Sequence, residues 1–385
     1  MSLSQDVINR QLFADKCVAN RHLLSTVLST HPMVCSDMKT YNSVINYIDI
    51  DTIDYKFLLV GHNDGFIDIN EITDQNIGDC DNVIHKKVDA YINRCQWFPA
   101  DTGMFATTSG ESVTVIDTNA MKRVDRFQFD NLKVYWSDWS PNTNTLIAVG
   151  CSASTIRLID IRSGSSLQQI TCCSKTGSVN HHMTRVLWSP LDSDCLIAGD
   201  SSGYLHIYDI RRPNKAVTVV GCDNVSYEPI TCLQFTKNNM SLLTTKGRSN
   251  KLNLWHLMHC QLLPSDINFD CPLVRSKQSK QIVSFIKCQI FATDDYVFTP
   301  SEHKLLGNDV ISYDITNGMI VHELNTTREG SFNTLGPNCV TGLDIGSLVL
   351  FSGGSKRLCV WTPNSESEDD IKRDKYYTDR WSDSE

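Results

Sequence analysis

Asp138-Trp139-Ser140-Pro141, leading to Ile156-Arg157-Leu158-Ile159-Asp160, is the stretch that decides the fold. A short strand closes on an aromatic residue, Ser-Pro turns the chain, and a second, alternating strand ends in an apolar residue followed by Asp. The unit recurs upstream, where Cys95-Gln96-Trp97-Phe98-Pro99 leads to Val113-Thr114-Val115-Ile116-Asp117. It recurs downstream, where Leu187-Trp188-Ser189-Pro190 leads to Leu205-His206-Ile207-Tyr208-Asp209. Weaker copies end at Ile69-Asn70, Trp255-His256, Tyr313-Asp314 and Trp361-Thr362. The closing residues 69, 116, 159, 208, 255, 313 and 361 are spaced by 47, 43, 49, 47, 58 and 48 residues. The long interval holds Pro264, Pro272 and the basic run Arg275-Ser276-Lys277-Gln278-Ser279-Lys280, which reads as an enlarged loop.

A period of this size suits four short strands per unit, the blade of a WD40 propeller. Alternation along Val113-Thr114-Val115-Ile116 sets one side against a neighbouring blade, and Val, Ile, Tyr and Trp suit that pleated surface. Proline after the first strand falls where a missing N–H costs no ladder bond. No single blade buries both its faces, so the repeats must close on themselves. The sequence therefore predicts an all-β, seven-bladed WD40 β-propeller over residues 44–363.

Two flanks stand outside that ring. Residues 1–43 read as a short helical docking segment: Ser4 caps a stretch with Val7, Ile8, Leu12 and Phe13 on one side, and a second stretch carries Leu23, Leu24, Val27 and Leu28 before Pro32. Residues 364–385 hold eight acidic and four basic residues without a core pattern, and read as a disordered acidic tail.

The chain has 385 residues, of which 41% are hydrophobic, enough for a large core. No stretch approaches the roughly 20 uncharged apolar residues of a spanning helix, so no membrane association is expected. The first twenty residues carry Asp6, Arg10 and Asp15 where a signal peptide would be apolar. A formal net charge of −9 argues against direct nucleic-acid binding, which draws on a basic face. The fifteen cysteines contain no CxxC pair and read as mostly buried thiols in a reducing compartment.

Catalytic signals are weak. Gly199-Asp200-Ser201-Ser202-Gly203 matches GxSxG, but a strand follows it where a nucleophile elbow needs a helix, so it reads as a hairpin turn. Cys172-Cys173 with His181-His182 lacks zinc-ligand spacing and reads as a loop between strands. No catalytic residue, metal site or cofactor is expected. What remains is surface, and Arg162 and Arg211 each follow a blade's closing strand, either as a displayed, rigid fork of donors or paired with a nearby Asp inside the propeller.

Residues 196–211 resemble the sixteen-residue WDxR box of cullin-4 ligase receptors, with Tyr208 in place of tryptophan. The run Cys95-Gln96-Trp97-Phe98-Pro99-Ala100-Asp101-Thr102-Gly103-Met104-Phe105, followed by Asp117-Thr118-Asn119, resembles blade two of the Cockayne syndrome group A family. Leu146-Ile147-Ala148-Val149-Gly150, the box ending Tyr208-Asp209-Ile210-Arg211-Arg212, and the tail Asp379-Arg380-Trp381-Ser382-Asp383-Ser384-Glu385 extend the likeness. It spans residues 44–363 and both flanks, is strongest in blades two to four, and fades in blades five and six and in the sequence of the first 43 residues.

That resemblance implies a nuclear, non-catalytic substrate receptor of a cullin-4 RING E3 ubiquitin ligase, acting in transcription-coupled nucleotide excision repair. It implies that the N-terminal helices and one propeller face bind the damaged-DNA-binding adaptor, and through it cullin-4 and the RING subunit. It implies that the other face meets the Cockayne syndrome group B ATPase and the RNA polymerase II elongation complex. Asp209 and Arg211 match the WDxR box, while Val7, Ile8, Leu12 and Phe13 are assigned to the adaptor by position and pattern. Two rival readings stay open: a WD40 scaffold in chromatin or RNA processing unconnected to ubiquitin, and a propeller enzyme that uses its central channel.

Overall fold

A computed structural model describes residues 33–363, apart from 74–75, 78–83, 144, 173–180, 214–215, 222–227, 247–250, 259–260, 268, 270–287, 301–307, 327–337, 346 and 355. The expected helices before Pro32, the basic run at 275–280 and the acidic tail lie outside the described residues.

Seven antiparallel sheets form the ring, six of four strands and one, blade one, carrying the additional short strand Asn76–Ile77. Their inner strands are Ile45–Ile50, Arg94–Trp97, Val134–Trp139, Met183–Trp188, Ile230–Phe235, Phe291–Ala292 and Cys339–Ile345. Each of these packs against the inner strand of the next blade, and the last packs against the first, so the circle is complete. The third strands are Phe66–Thr73, Ser112–Asp117, Thr155–Asp160, Tyr204–Asp209, Lys251–Met258, Asn308–Asp314 and Arg357–Pro363. All seven closing residues read from the sequence fall in these third strands.

An aromatic residue at that position suits the third strand because its ring fills the blade while its polar atom is met inside it. Trp361 is fully buried and donates its indole N–H to Ser352 Oγ at 2.8 Å, and Trp255 donates to Thr244 Oγ1 at 3.1 Å. Between blades the contacts are apolar: Ile197, Leu205 and Ile207 of blade four pack with Ile230, Leu233 and Leu242 of blade five. Gly199 allows this approach, since a Cβ there would stand 2.7 Å from the Ile230 side chain. Eight of the nine cysteines described as free thiols are buried.

The ring reaches further back than residue 44. Met33–Thr40 is a strand, not part of a helical flank, and it pairs antiparallel with Arg357–Pro363 as the outer strand of blade seven. The correction has a physical cause: this strand covers a sheet edge and is only partly buried, so its sequence lacks the alternation of an inner strand.

Neighbouring inner strands are also laced by a polar relay. In several blades the penultimate residue of the inner strand accepts the backbone N–H of the next blade's aromatic. Asp49 Oδ2 accepts from Trp97 N at 2.8 Å, Gln96 Oε1 from Trp139 N at 2.9 Å, and Asp138 Oδ2 from Trp188 N at 2.9 Å. Blade four has Leu187 at this position, and there Thr184 Oγ1 instead donates to Ile230 O at 2.7 Å. Around the rest of the ring, Gln289 of blade six donates Nε2–H to Ile48 O of blade one at 2.7 Å. These bonds satisfy buried backbone groups that would otherwise be costly to leave unpaired.

Two predictions follow from closure and relay. Deleting residues 1–40 removes the outer strand of blade seven and should abolish the single cooperative melt; an unchanged melt would show that the ring closes without that strand. Burial pushes the Asp49 carboxyl up to about 7, against the opposing N–H of Trp97 and the charge of Arg94. The folded state therefore holds a proton that the unfolded chain has released, so stability falls as pH rises from about 4 to about 7 and is flat above. Asp49→Asn should remove that slope and gain up to about 3 kcal/mol over the wild type at pH 8, after discount for partial solvent contact. Parallel urea melts at pH 5 and pH 8 that shift equally in both proteins would rule this out.

Candidate functional site

In a sheet that runs from the axis outward, the first-to-second and third-to-fourth turns open on one face of the ring. The second-to-third turns and the links between blades open on the other. Asp209 ends the third strand of blade four and Arg211 lies in the turn after it, so both belong to the first of these faces. Arg211 is 66% exposed, yet it is held. Its Nε donates to Asp209 Oδ1 and Nη2 to Asp209 Oδ2, both at 2.9 Å, and Nη1 stands 3.1 Å from Asp194 Oδ2. The bond from Arg211 pulls the Asp209 carboxyl below its usual range, and Asp209 in turn raises the guanidinium above its own. The arginine is thus both paired and presented, a bidentate fork with a fixed direction.

The box behind it is structural. Tyr208 is 1% exposed and keeps the aromatic core role, its ring near-parallel to that of His206 at 6.2 Å. Asp200 binds His206 Nε2 at 3.0 Å through Oδ2 and accepts the N–H groups of Ser202 and Tyr204 at 2.8 Å through Oδ1. With Gly203 at a φ of 88°, this is the hairpin turn that the GxSxG match was read as, between strands Cys195–Asp200 and Tyr204–Asp209. His181 Nδ1 meets Ser202 Oγ, and Ser154 donates its N–H and hydroxyl to His181 O. The Cys172 N–H bonds Ser154 O at 2.7 Å, so this segment is tied into neighbouring turns; Cys173 lies outside the described residues. Among the described residues no group of three or more His, Cys, Asp or Glu is placed to hold a metal.

Exposed apolar side chains gather on the Arg211 face. Leu191 and Val217 lie in the two turns of blade four on either side of Arg211, and Met240, Met319, Ile53 and Tyr55 occupy equivalent turns of blades five, six and one. Of the other exposed large hydrophobics among the described residues, Tyr91 lies in a turn of the opposite face, and Val34, Val124 and Leu263 lie on outer strands. Met33 pairs with Pro363 at the end of a third strand, so the chain enters and leaves the ring at the Arg211 face too. Sequence reasoning missed these apolar positions, though Leu191 directly after Ser189-Pro190 was a signal: a large apolar residue in a turn that has no core to join. Val7, Ile8, Leu12 and Phe13 lie outside the described residues.

A second cluster sits on the axis. Tyr47, Arg94, Trp136, Arg185 and Cys232 come from the inner strands of blades one to five and are all buried. Arg94 pairs with Asp138 Oδ1 at 2.9 Å, donates to Ser137 O, and lies 4.5 Å from the Trp136 ring centroid. Arg185 lies 4.1 Å from the same centroid. Strand alternation leaves Asp49, Gln96, Leu187 and Gln234, two residues further along four of these strands, as the half-buried lining of the channel. The sequence offered one sign of this cluster, a charged residue inside an otherwise apolar strand, as in Met183-Thr184-Arg185-Val186-Leu187-Trp188.

No protein-family model matches the chain. It is 29% identical to the WD repeat-containing protein ATCSA-1 of Arabidopsis thaliana over 232 residues, which is 56% of this chain and 48% of that protein. It is 28% identical to the periodic tryptophan protein 1 homolog of Drosophila melanogaster over 119 residues, 31% of this chain and 25% of the other. Protein sof1 of Schizosaccharomyces pombe is 27% identical over 119 residues, 30% of this chain and 25% of its own. The matches therefore span about half the length of the first relative and a quarter of the other two. The β-propeller domain of Cps50 (Swd1) from Myceliophteria thermophila superimposes with a TM-score of 0.66 at 17% identity, covering 85% of this chain and all of that one, a likeness of fold. A ring of seven sheets, the recurring third-strand residues and these relatives together make the chain a WD-repeat protein built as a seven-bladed β-propeller.

Proposed function

We propose that this chain is a non-catalytic docking subunit, and specifically the substrate receptor of a cullin-4 RING E3 ubiquitin ligase that serves transcription-coupled nucleotide excision repair in the nucleus. The observation that carries the reading is the Arg211 face. A fixed, exposed guanidinium, a set of apolar turns beside it and the entry point of the N-terminal segment all share one side of the ring. An arginine anchor among apolar side chains is the composition of a protein–protein hot spot. In this reading the face receives the damaged-DNA-binding adaptor together with Val7, Ile8, Leu12 and Phe13 of the preceding segment. The opposite face is left for the Cockayne syndrome group B ATPase and RNA polymerase II. Support for this partner comes from the resemblance of residues 95–105 and 196–212 to the Cockayne syndrome group A family, and from the similarity to ATCSA-1.

The competing reading is a WD40 scaffold in chromatin or RNA processing without ubiquitin. It is kept open because the periodic tryptophan protein 1 homolog and protein sof1 match at nearly the same identity. The two differ in one experiment, size-exclusion co-elution with the purified adaptor. The ligase reading expects the wild type to co-elute and Arg211→Ala to weaken binding by about tenfold, the order expected of a truncated interface arginine. Its melting temperature should not change, since the side chain is exposed. Leu12→Asp with Phe13→Asp should abolish co-elution while the ring still melts cooperatively, because a charge does not enter an apolar groove cheaply. A wild type that never co-elutes leaves the scaffold reading; a double variant that binds normally removes the docking segment from the account.

A further inference from the structure

Among the described residues, Arg185 is a buried charge without a counter-ion. Its side chain is nine-tenths or more buried, Nη1 donates to Thr184 O at 2.7 Å, and neither Nε nor Nη2 has a hydrogen-bond partner. The neighbours that would neutralise it do not. Arg94 holds Asp138 for itself. Burial raises the Cys232 thiol and the Tyr47 phenol, so both are neutral at physiological pH. Burial also draws the guanidinium down to about 10, which leaves it charged there. Stacking on Trp136 satisfies one face of the cation but none of its outward donors. An uncharged water would fill a hydrogen bond and leave the charge unmatched, whereas a small anion would do both.

The surroundings limit which anion. Arg185 stands third in Met183–Trp188, so it faces the axis nearer the end away from Arg211, and the channel beyond it is lined by Asp49, Gln96, Leu187 and Gln234. At the Arg211 end the mouth is spanned by Lys237, which reaches from blade five to Asp344 of blade seven at 2.8 Å. A guanidinium this deeply buried suits a small solute rather than a macromolecule. We propose that the axial channel binds a free small oxyanion, a carboxylate or phosphate, on the two unpartnered donors of Arg185, a site independent of the docking face and of the ligase reading. An anion on these in-plane donors keeps the Trp136 stack and adds two charge-assisted hydrogen bonds.

The test is thermal unfolding of the full chain in sodium phosphate or sodium acetate against sodium chloride at equal ionic strength and pH. The site predicts a saturable rise of about 2–4 °C with at least one of the two oxyanions. It predicts no such rise in Arg185→Met, a variant that replaces the unpaired charge with an apolar chain of similar length. Arg185→Lys, which keeps the charge and loses the fork, should bind several-fold more weakly, and serves if the methionine variant does not fold. Calorimetric titration of the wild type with phosphate and with acetate should give one site. No saturable rise in the wild type with either oxyanion, or an equal rise in Arg185→Met, would overturn the proposal, the second outcome placing the anion on exposed basic residues.

Discussion

Everything in this molecule depends on one closure: Met33–Thr40 pairing with Arg357–Pro363. Three strands of blade seven come from one end of the chain and the fourth from the other, so the last blade is complete only when the ring is. A propeller blade buries its faces against its neighbours, and an incomplete blade exposes both a sheet edge and an apolar face. The inner relay from Asp49 to Trp97, Gln96 to Trp139 and Asp138 to Trp188 has the same character, because each bond needs two blades in register. Closure also fixes a geometry that matters for recognition. It brings both ends of the ring to the face where Arg211 is displayed.

The ring itself was legible because its signal is repetitive. Each third strand is buried on both sides and closes on a large side chain, so seven copies spaced by 43 to 58 residues survive the loss of most motif residues. Met33–Thr40 was illegible for the converse reason: an outer strand has one partner and half-exposed residues, and Val-Cys-Ser-Asp-Met-Lys shows no alternation to read. The relay was hidden because Asp49, Gln96 and Asp138 look like ordinary polar residues until the next blade supplies the N–H. For Arg211 the sequence left two alternatives, a displayed donor or an arginine paired with a nearby Asp inside the ring. The structure combines them, since Asp209 and Asp194 hold the guanidinium while leaving it exposed.

The axial cluster is a counterpoint to the Arg211 face. There, Arg94 is matched by Asp138 and by the Trp136 face, while Arg185 is matched by the aromatic face and one carbonyl alone. A protein with a formal charge of −9 thus keeps at its centre a cation that no described acidic residue pairs. The two regions divide the molecule's chemistry. Broad apolar turns around a fixed arginine suit a macromolecular surface, whereas a buried guanidinium on the axis suits a small solute.

The proposed function rests on partners docking at the Arg211 face. Hydrogen–deuterium exchange of the full chain with and without the damaged-DNA-binding adaptor tests it most directly, because backbone protection is read turn by turn. Protection is expected across residues 189–194, 210–221 and 236–240, with residues 63–65, 88–93 and 110–111 on the opposite face unchanged. Protection confined to those opposite turns would contradict it.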